Sequence, residues 1–284
     1  MNKNKIGLST CGKNIDENLF KAYAESGISC MELSHEKSTI DKLNYASIAD
    51  LSKKYDVCLW SLHLPFCPFD EIDISNPSIA DQTVKYYIET IKKAAAIGIE
   101  KFIVHPSGEP ISPEDRQTRM ACAKEHLCNL AELAQKEGAA VCVEDLPRTC
   151  LGNCSAEVNE LISAHSALRV VFDTNHLLGE DIPTFIRNVG SKIVSTHISD
   201  YDYANERHWL CGEGDINWQE LYSALCEIGY DGAWLYELGF GSPNTLTRER
   251  ALTCADFVRN ATEIFENHPI TVFGKRKPNL GMWG

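Results

Sequence analysis

Six residues that can bind a metal ion or carry a proton recur along the chain at separations of 24 to 42 residues: His63, His105, Glu144, Asp173, His197 and Glu237. Such spacing hides them from a local motif search. What unites them is their setting, because each follows directly on a short, mostly apolar run: SL, FIV, VCV, VVF, IVST and WLY. His176, Glu206 and His208 add three candidates in the segments that follow. Taken singly, each has an ordinary explanation, either a hydrogen-bonded structural histidine or a carboxylate that caps a helix or pairs with a basic neighbour. Gathered on one rim, unpaired carboxylates repel, and burying several is costly unless a cation compensates them. His35, His126, His165 and His268 lack that setting and read as structural.

The apolar runs alternate with longer stretches of helical spacing, the pattern of a parallel sheet with crossover helices. Eight such units are legible. Strands are expected at Lys5–Ser9, Cys30–Leu33, Val57–Leu62, Lys101–Val104, Ala140–Val143, Arg169–Phe172, Lys192–Thr196 and Gly232–Tyr236. Helices are expected near Glu17–Ser26, Tyr45–Lys54, Ile79–Ala96, Pro113–Lys136, Ala156–Ala164, Ile182–Val189, Trp218–Ile228 and Thr247–Glu266. Ser112-Pro113-Glu114 suggests an N-cap with proline in the first turn, and Gly27, Gly98, Gly138 and Gly229 fall where C-caps are needed. The expectation is an α/β protein, a single (β/α)8 TIM barrel over residues 1–284 with an irregular tail from about residue 269. One such barrel takes roughly 250 residues, and its chemistry sits at the C-terminal ends of the strands, where the six candidates fall.

The bulk properties narrow the partners. The chain has 27 Lys and Arg against 40 Asp and Glu, a formal charge of −13, which repels polyanions and disfavours nucleic acid. No stretch approaches the roughly 20 apolar residues of a membrane span. The first residues lack the apolar core of a signal peptide. The twelve cysteines are scattered without a CxxC pair, which reads as reduced thiols and a cytoplasmic setting.

Three carboxylates and one imidazole, from Glu144, Asp173, Glu237 and His197, suit Mn, Mg, Co or Fe(II), and further imidazoles shift the preference towards Zn. At these residues the sequence resembles the xylose-isomerase-like sugar isomerases and epimerases and their sister group, the endonuclease IV family. The resemblance runs over most of the chain and rests on SLHLPF, FIVHPSGE, VCVEDLP, VFDTNH, STHISDYD, ERHWLCGEGDINW and WLYELG. It implies a single-metal core of Glu144, Asp173, His197 and Glu237, with His176 near the substrate. The fuller endonuclease IV set of three zinc ions would add His63, His105, His176, Glu206 and His208. There the sequence departs from that family, which has aspartate at the position of Glu206. It also carries EDLPRT after strand 5 and YELGFG at strand 8 in place of that family's endings.

Two activities follow from the resemblance. One is isomerisation or epimerisation of a small carbohydrate, in which a divalent ion acidifies a carbon-bound proton and Glu144 and Glu237 act as the acid/base pair. His105, His176 and Arg207 are then candidates for binding hydroxyls. One ion suffices, with ligands for two or three, and a sugar lyase or dehydratase could share the first step. The other is zinc-dependent hydrolysis of abasic-site DNA, favoured by the histidines and opposed by the acidic charge and the few basic or aromatic residues after the strands. A barrel keeping its metal without catalysis is a third reading. Oligomeric state and substrate identity are not readable, and a homo-oligomer stays open.

Overall fold

The computed structural model describes residues 5–278. Eight parallel strands form the central sheet: β1 (Ile6–Ser9), β2 (Cys30–Ser34), β3 (Cys58–His63), β4 (Lys101–Val104), β5 (Ala140–Glu144), β6 (Arg169–Asp173), β7 (Ile193–His197) and β8 (Trp234–Tyr236). Their order is β7-β6-β5-β4-β3-β2-β1-β8. The two ends meet through a parallel bridge between Ile198 and Tyr236, where the Ile198 N–H donates to the Leu235 carbonyl at 2.8 Å. A sheet that returns to its own first strand is a barrel, here the expected (β/α)8 type.

The helices lie outside it: α1 (Glu17–Ser26), the short α2 (Lys37–Ile40), α3 (Tyr45–Tyr55), α4 (Ala80–Ala95), α5 (Arg116–Lys136), α6 (Ser155–Ile162), α7 (Ile182–Val189), α8 (Trp218–Glu227) and α9 (Cys254–Phe265). Alternation along each strand divides the apolar residues. Leu8, Met31, Leu62, Phe102, Val143 and Phe172 join the large core under the helices. Small clusters fill the barrel itself, Ile103, Cys142 and Val171 in one and Cys30, Ala233 and Leu235 in the other. Gly7 belongs to the inner face, where a Cβ would stand 3.1 Å from Leu235 Cγ and 3.3 Å from Cys30 Cβ.

Two expectations are corrected. The fifth helix starts at Arg116, because the Ser112 hydroxyl turns onto Asp115 and closes a separate turn over residues 112–115. The expected helix from Thr247 starts instead at Cys254, behind a capping box of Thr253 and Asp256. Upstream, β9 (Leu246–Arg248) buries Leu246 and Arg248 while Thr247 faces solvent, a strand alternation. It pairs antiparallel with β10 (Gly274–Arg276), so the tail from 269 is not wholly irregular; its last residues, 279–284, lie outside the described ones. Arg248 grips the buried Glu213 through two hydrogen bonds of 3.0 and 2.6 Å, which fastens this strand pair to the loop after β7.

That loop contains the GEG motif, and its role is structural. The Asp200 carboxylate accepts hydrogen bonds from the N–H groups of Gly212 and Ile216 and from the Trp218 indole. Gly214 lies against it, where a Cβ would collide with the Asp200 carboxylate and the Tyr201 carbonyl.

Candidate metal centre

The strand ends deliver their side chains to one buried point. Glu144 closes β5, Asp173 β6 and His197 β7, while Glu237 follows β8, and a ligand atom from each lies within 4.8 Å of the others. His197 Nδ1 is central, 2.8 Å from Glu144 Oε1, 3.0 Å from Glu237 Oε2 and 3.8 Å from Asp173 Oδ2. Asp173 accepts the Asn175 N–H on Oδ1 at 2.7 Å, and its buried Oδ2 has no hydrogen-bond partner. A buried carboxylate oxygen left bare beside two other carboxylates is what a cation site requires, and this four-residue set fits a divalent ion.

Glu144 has a second face. Its Oε2 lies 3.0 Å from His63 Nε2 and 3.1 Å from His105 Nε2, and these three residues form a second group with metal-ligand geometry. Glu144 thus belongs to both groups and would be the residue they share. His63 holds its other nitrogen against the Leu64 carbonyl at 2.9 Å.

The charges are finely balanced among the protein's own groups. Burial pushes Asp173 up to about 7, with Glu237 and Glu144 adding to the push and His176 opposing it. Burial also opposes ionisation of Glu237, yet the His197 ring outweighs it and brings Glu237 down to about 2. Glu144 is likewise held well below the usual range, since His197 and His105 overcome its burial. Burial alone would lower His197, but Glu237, Glu32 and Glu144 raise it well above the ordinary imidazole value. The imidazolium forms thus neutralise the carboxylates in the way a bound cation would.

The remaining expected residues divide. His176 sends Nδ1 to the Asp145 carbonyl at 2.7 Å and Nε2 towards Glu206 Oε1 at 3.1 Å. Glu206 is also paired with Arg148, whose guanidinium spans Glu109, Asn205 and Glu206. His208 turns its Nδ1 to the Glu237 carbonyl at 3.3 Å, and it joins none of the metal-ligand groups found among the described residues. Among the described residues His176, Glu206 and His208 form no metal-ligand group, and the Arg148 guanidinium is paired with Glu206. Arg207 is buried and paired with Asp202 at 3.0 Å, and its ring neighbour is Trp209.

Several residues of the site were not singled out from sequence. Glu32, inside β2, accepts from His197 Nε2 at 3.1 Å and from the Ser61 hydroxyl at 2.7 Å. Its signal was a lone acid among the apolar residues of CMELS. Asp145 receives the Asp173 N–H at 2.8 Å, and burial raises its carboxyl well above the usual range. Phe66 stacks on the His105 ring at 4.1 Å between centroids. It borders a cavity of about 230 Å³ shared with Phe69, His105, Arg148, His176 and Glu206. A neighbouring cavity of about 420 Å³ is lined by His35, His63 and Phe66. His126 binds the Cys122 carbonyl in α5 and stands outside the site.

Residues 20–259 match the xylose isomerase-like TIM barrel family, and the chain belongs to that family. It is 26% identical over 198 residues to an uncharacterized protein of Methanocaldococcus jannaschii, a match covering 66% of this chain and 67% of that one. Among solved structures, a D-tagatose 3-epimerase-like protein superposes with a TM-score of 0.75 at 20% identity, covering 93% of this chain and 96% of the other. D-psicose 3-epimerase from Clostridium cellulolyticum H10, solved with D-tagatose, gives 0.69 at 20% identity, with 89% of each chain covered. The 3-keto-D-glucoside 4-epimerase of E. coli gives 0.72 at 18% identity, covering 93% and 99%. No helix of the described residues is long and apolar enough to cross a membrane.

Proposed function

We propose that this protein is a divalent-metal-dependent epimerase or isomerase of a small carbohydrate. The observation that carries the reading is the convergence of Glu144 and Glu237 on His197 Nδ1, at 2.8 and 3.0 Å, with the bare Asp173 oxygen 3.8 Å from the same atom. Glu144, Asp173, His197 and Glu237 would hold the ion. Bound there, it would supply Lewis-acid stabilisation of negative charge developing on the sugar's oxygens.

The protein's own groups account for the remaining steps. One of Glu144 and Glu237, ionised, takes a proton from the reacting carbon, and the other delivers to the opposite side a proton that it has drawn from solvent. His176 and His105, both at the wall of the 230 Å³ cavity, bind hydroxyls, and Phe66 presents an apolar face to the sugar carbons. Arg207, tied to Asp202, supports the loop that carries His208. The epimerase names of the structural neighbours support the sugar class, and their spread over ketoses and a keto-glucoside leaves the particular sugar open. A sugar lyase or dehydratase on the same metal site shares the first proton transfer.

A second reading has one observation in its favour: the group of His63, His105 and Glu144 offers a second ion the ligands used in metal-dependent hydrolysis of phosphodiesters. The formal charge of −13 weighs against a DNA substrate. The cytoplasmic setting stays part of the proposal, on the scattered cysteines. The test is a screen of the protein reconstituted separately with Mn, Mg, Co and Zn. Free and phosphorylated ketoses are assayed in parallel with abasic-site DNA. Interconversion of a ketose is the expected result, and cleavage of the DNA with no action on any sugar would overturn the functional class.

A further inference from the structure

The opposite mouth of the barrel carries a pair of thiols that the metal centre does not use. Cys30 opens β2 and Cys58 opens β3, and the parallel register pairs them residue for residue. Register partners on neighbouring strands project to the same face of a sheet. Here that face is the barrel interior, since Cys30 packs with Ala233, Leu235 and Trp60. Neighbouring strands lie about 4.8 Å apart, inside the Cα separation that a disulfide spans. The register sets the two residues side by side, and the Ser29 hydroxyl lies 3.7 Å from Cys30 Sγ.

The pair is asymmetric. Cys30 is 2% exposed, whereas Cys58 opens to solvent. Two residues along β3, the Trp60 ring carries Lys101 Nζ at 3.7 Å and Lys5 Nζ at 5.1 Å from its centroid, which keeps two ammonium groups beside the exposed thiol. The neighbouring Cys30 thiol takes Cys58 down to about 6, against partial burial and Glu100 and with the help of Lys101 and Lys5. The same pairing, with burial, pushes Cys30 up. An exposed thiolate beside cations, with a protonated thiol next to it, has the form of a reactive cysteine and its resolving partner.

We propose that Cys58 and Cys30 form a reversible, hydroperoxide-reactive dithiol at the N-terminal mouth of the barrel. The Cys58 thiolate attacks one oxygen of a hydroperoxide ROOH, the O–O bond breaks, RO⁻ leaves and is protonated to ROH, and Cys58 becomes a sulfenic acid. The Cys30 sulfur then attacks the Cys58 sulfur. An S–S bond forms, and hydroxide departs with the Cys30 proton as water. Two thiols lose two electrons in all, and the peroxide is reduced to ROH and water. A small dithiol reverses the change by exchange.

The test uses the full-length reduced protein. It is treated with one equivalent of hydrogen peroxide, capped with an alkylating agent and mapped by peptide mass spectrometry. The expected product is a Cys30–Cys58 disulfide that dithiothreitol reverses, and Cys30→Ser should leave a sulfenic acid on Cys58 that dimedone traps. In the untreated protein, alkylation of Cys58 should rise through a midpoint near pH 6, ahead of the exposed Cys67 and Cys226. A Cys58 midpoint at or above about 8.5, the value of a free thiol, would overturn the proposal. So would peroxide treatment of the wild-type protein that yields no Cys30–Cys58 link.

Discussion

Glu32 accepts a hydrogen bond from Nε2 of His197 at 3.1 Å, on the far side of the imidazole from Glu144 and Glu237. The metal-free imidazolium donates from both ring nitrogens, and were an ion to take the place of the Nδ1 proton, the Glu32 carboxylate as acceptor would favour the tautomer that keeps its proton on Nε2. Glu32 is thereby a positioning residue for the ligand. In Glu32→Gln the amide can turn a donor towards Nε2, and the preference for that tautomer is lost. Metal affinity should fall by about ten- to a hundredfold, as for other partners of ligating histidines. A chelator-competition titration reads the affinity, with circular dichroism as the folding control. Unchanged affinity would mean that packing alone orients the ring.

Asp173 makes a charge and a pH statement at once. Asp173→Asn keeps an oxygen for the Asn175 N–H but offers no charge, so metal content should drop about tenfold or more while the barrel stays folded. In the metal-free protein the folded-state carboxyl is raised to about 7 from an ordinary value of 3.8. The folded state then holds the proton more tightly than the unfolded chain, so the stability it contributes is full below about pH 4 and is lost as pH rises through 7. Relative to Asp173→Asn, the metal-free wild type should lose thermal stability over that window. A difference in Tm between the two that does not vary with pH would count against a buried, strained carboxyl.

Metal stoichiometry separates the three ligand groups. His63→Ala should remove any ion beyond the first without emptying the core site, since His63 is not among the four residues Glu144, Asp173, His197 and Glu237 that form that site. His208→Ala should leave the content unchanged, because that ring bonds a carbonyl. Arg148→Met would free Glu109 and Glu206 from their shared guanidinium and should raise cation uptake under zinc excess. Three zinc ions in the wild-type protein by mass spectrometry would sink this account of Arg148.

The GEG motif yields a stability test. Gly214→Ala drives a methyl group into the Asp200 carboxylate, which cannot retreat without breaking its bonds to Gly212, Ile216 and Trp218, and into the Tyr201 carbonyl, which accepts the Asp215 N–H at 2.8 Å. A loss of about 3 kcal/mol or more is expected in urea melts. A loss below about 0.5 kcal/mol, the range of ordinary surface changes, would show that the loop is not anchored in this way.

The strands and their terminal acids and histidines were legible because alternation and β-branching mark a strand within one short window, and the barrel rule then converts strand ends into a shared rim. Glu32 escaped because it sits within its strand and faces inward, a property that only the closed barrel reveals. Arg148 was quoted within EDLPRT, but its grip on Glu206 spans 58 residues and depends on a positive φ of 53° at the arginine. Thr247 and Arg248 fall within the helix expected from Thr247 although they belong to β9, because the strand partner lies in the tail, where no local pattern points to it. Residue type along the sequence likewise carries no information about the Arg148 guanidinium that pairs with Glu206.

If the carboxylates of Glu144 and Glu237, both set against His197 Nδ1, carry the proton, two routes to the same product can be told apart. Proton transfer passes the substrate hydrogen through a carboxylate, where it can exchange with solvent, whereas a hydride shift keeps it on the sugar. His197 holds Glu237 near 2 and Glu144 well below its usual range, so both are ionised bases at neutral pH. Such weak bases can serve only if the carbon acid is itself strengthened, which is what a divalent ion beside the carbonyl and hydroxyl oxygens provides. For a ketose that turns over, reaction in heavy water should place deuterium at the reacting carbon of the product. Glu237→Gln should lower turnover by at least about a hundredfold, the lower end of what a general acid or base contributes, and should abolish exchange with it. Product free of deuterium at every stage of conversion, from an enzyme that turns over normally, would assign the reaction to a hydride shift and leave the two glutamates as metal ligands alone.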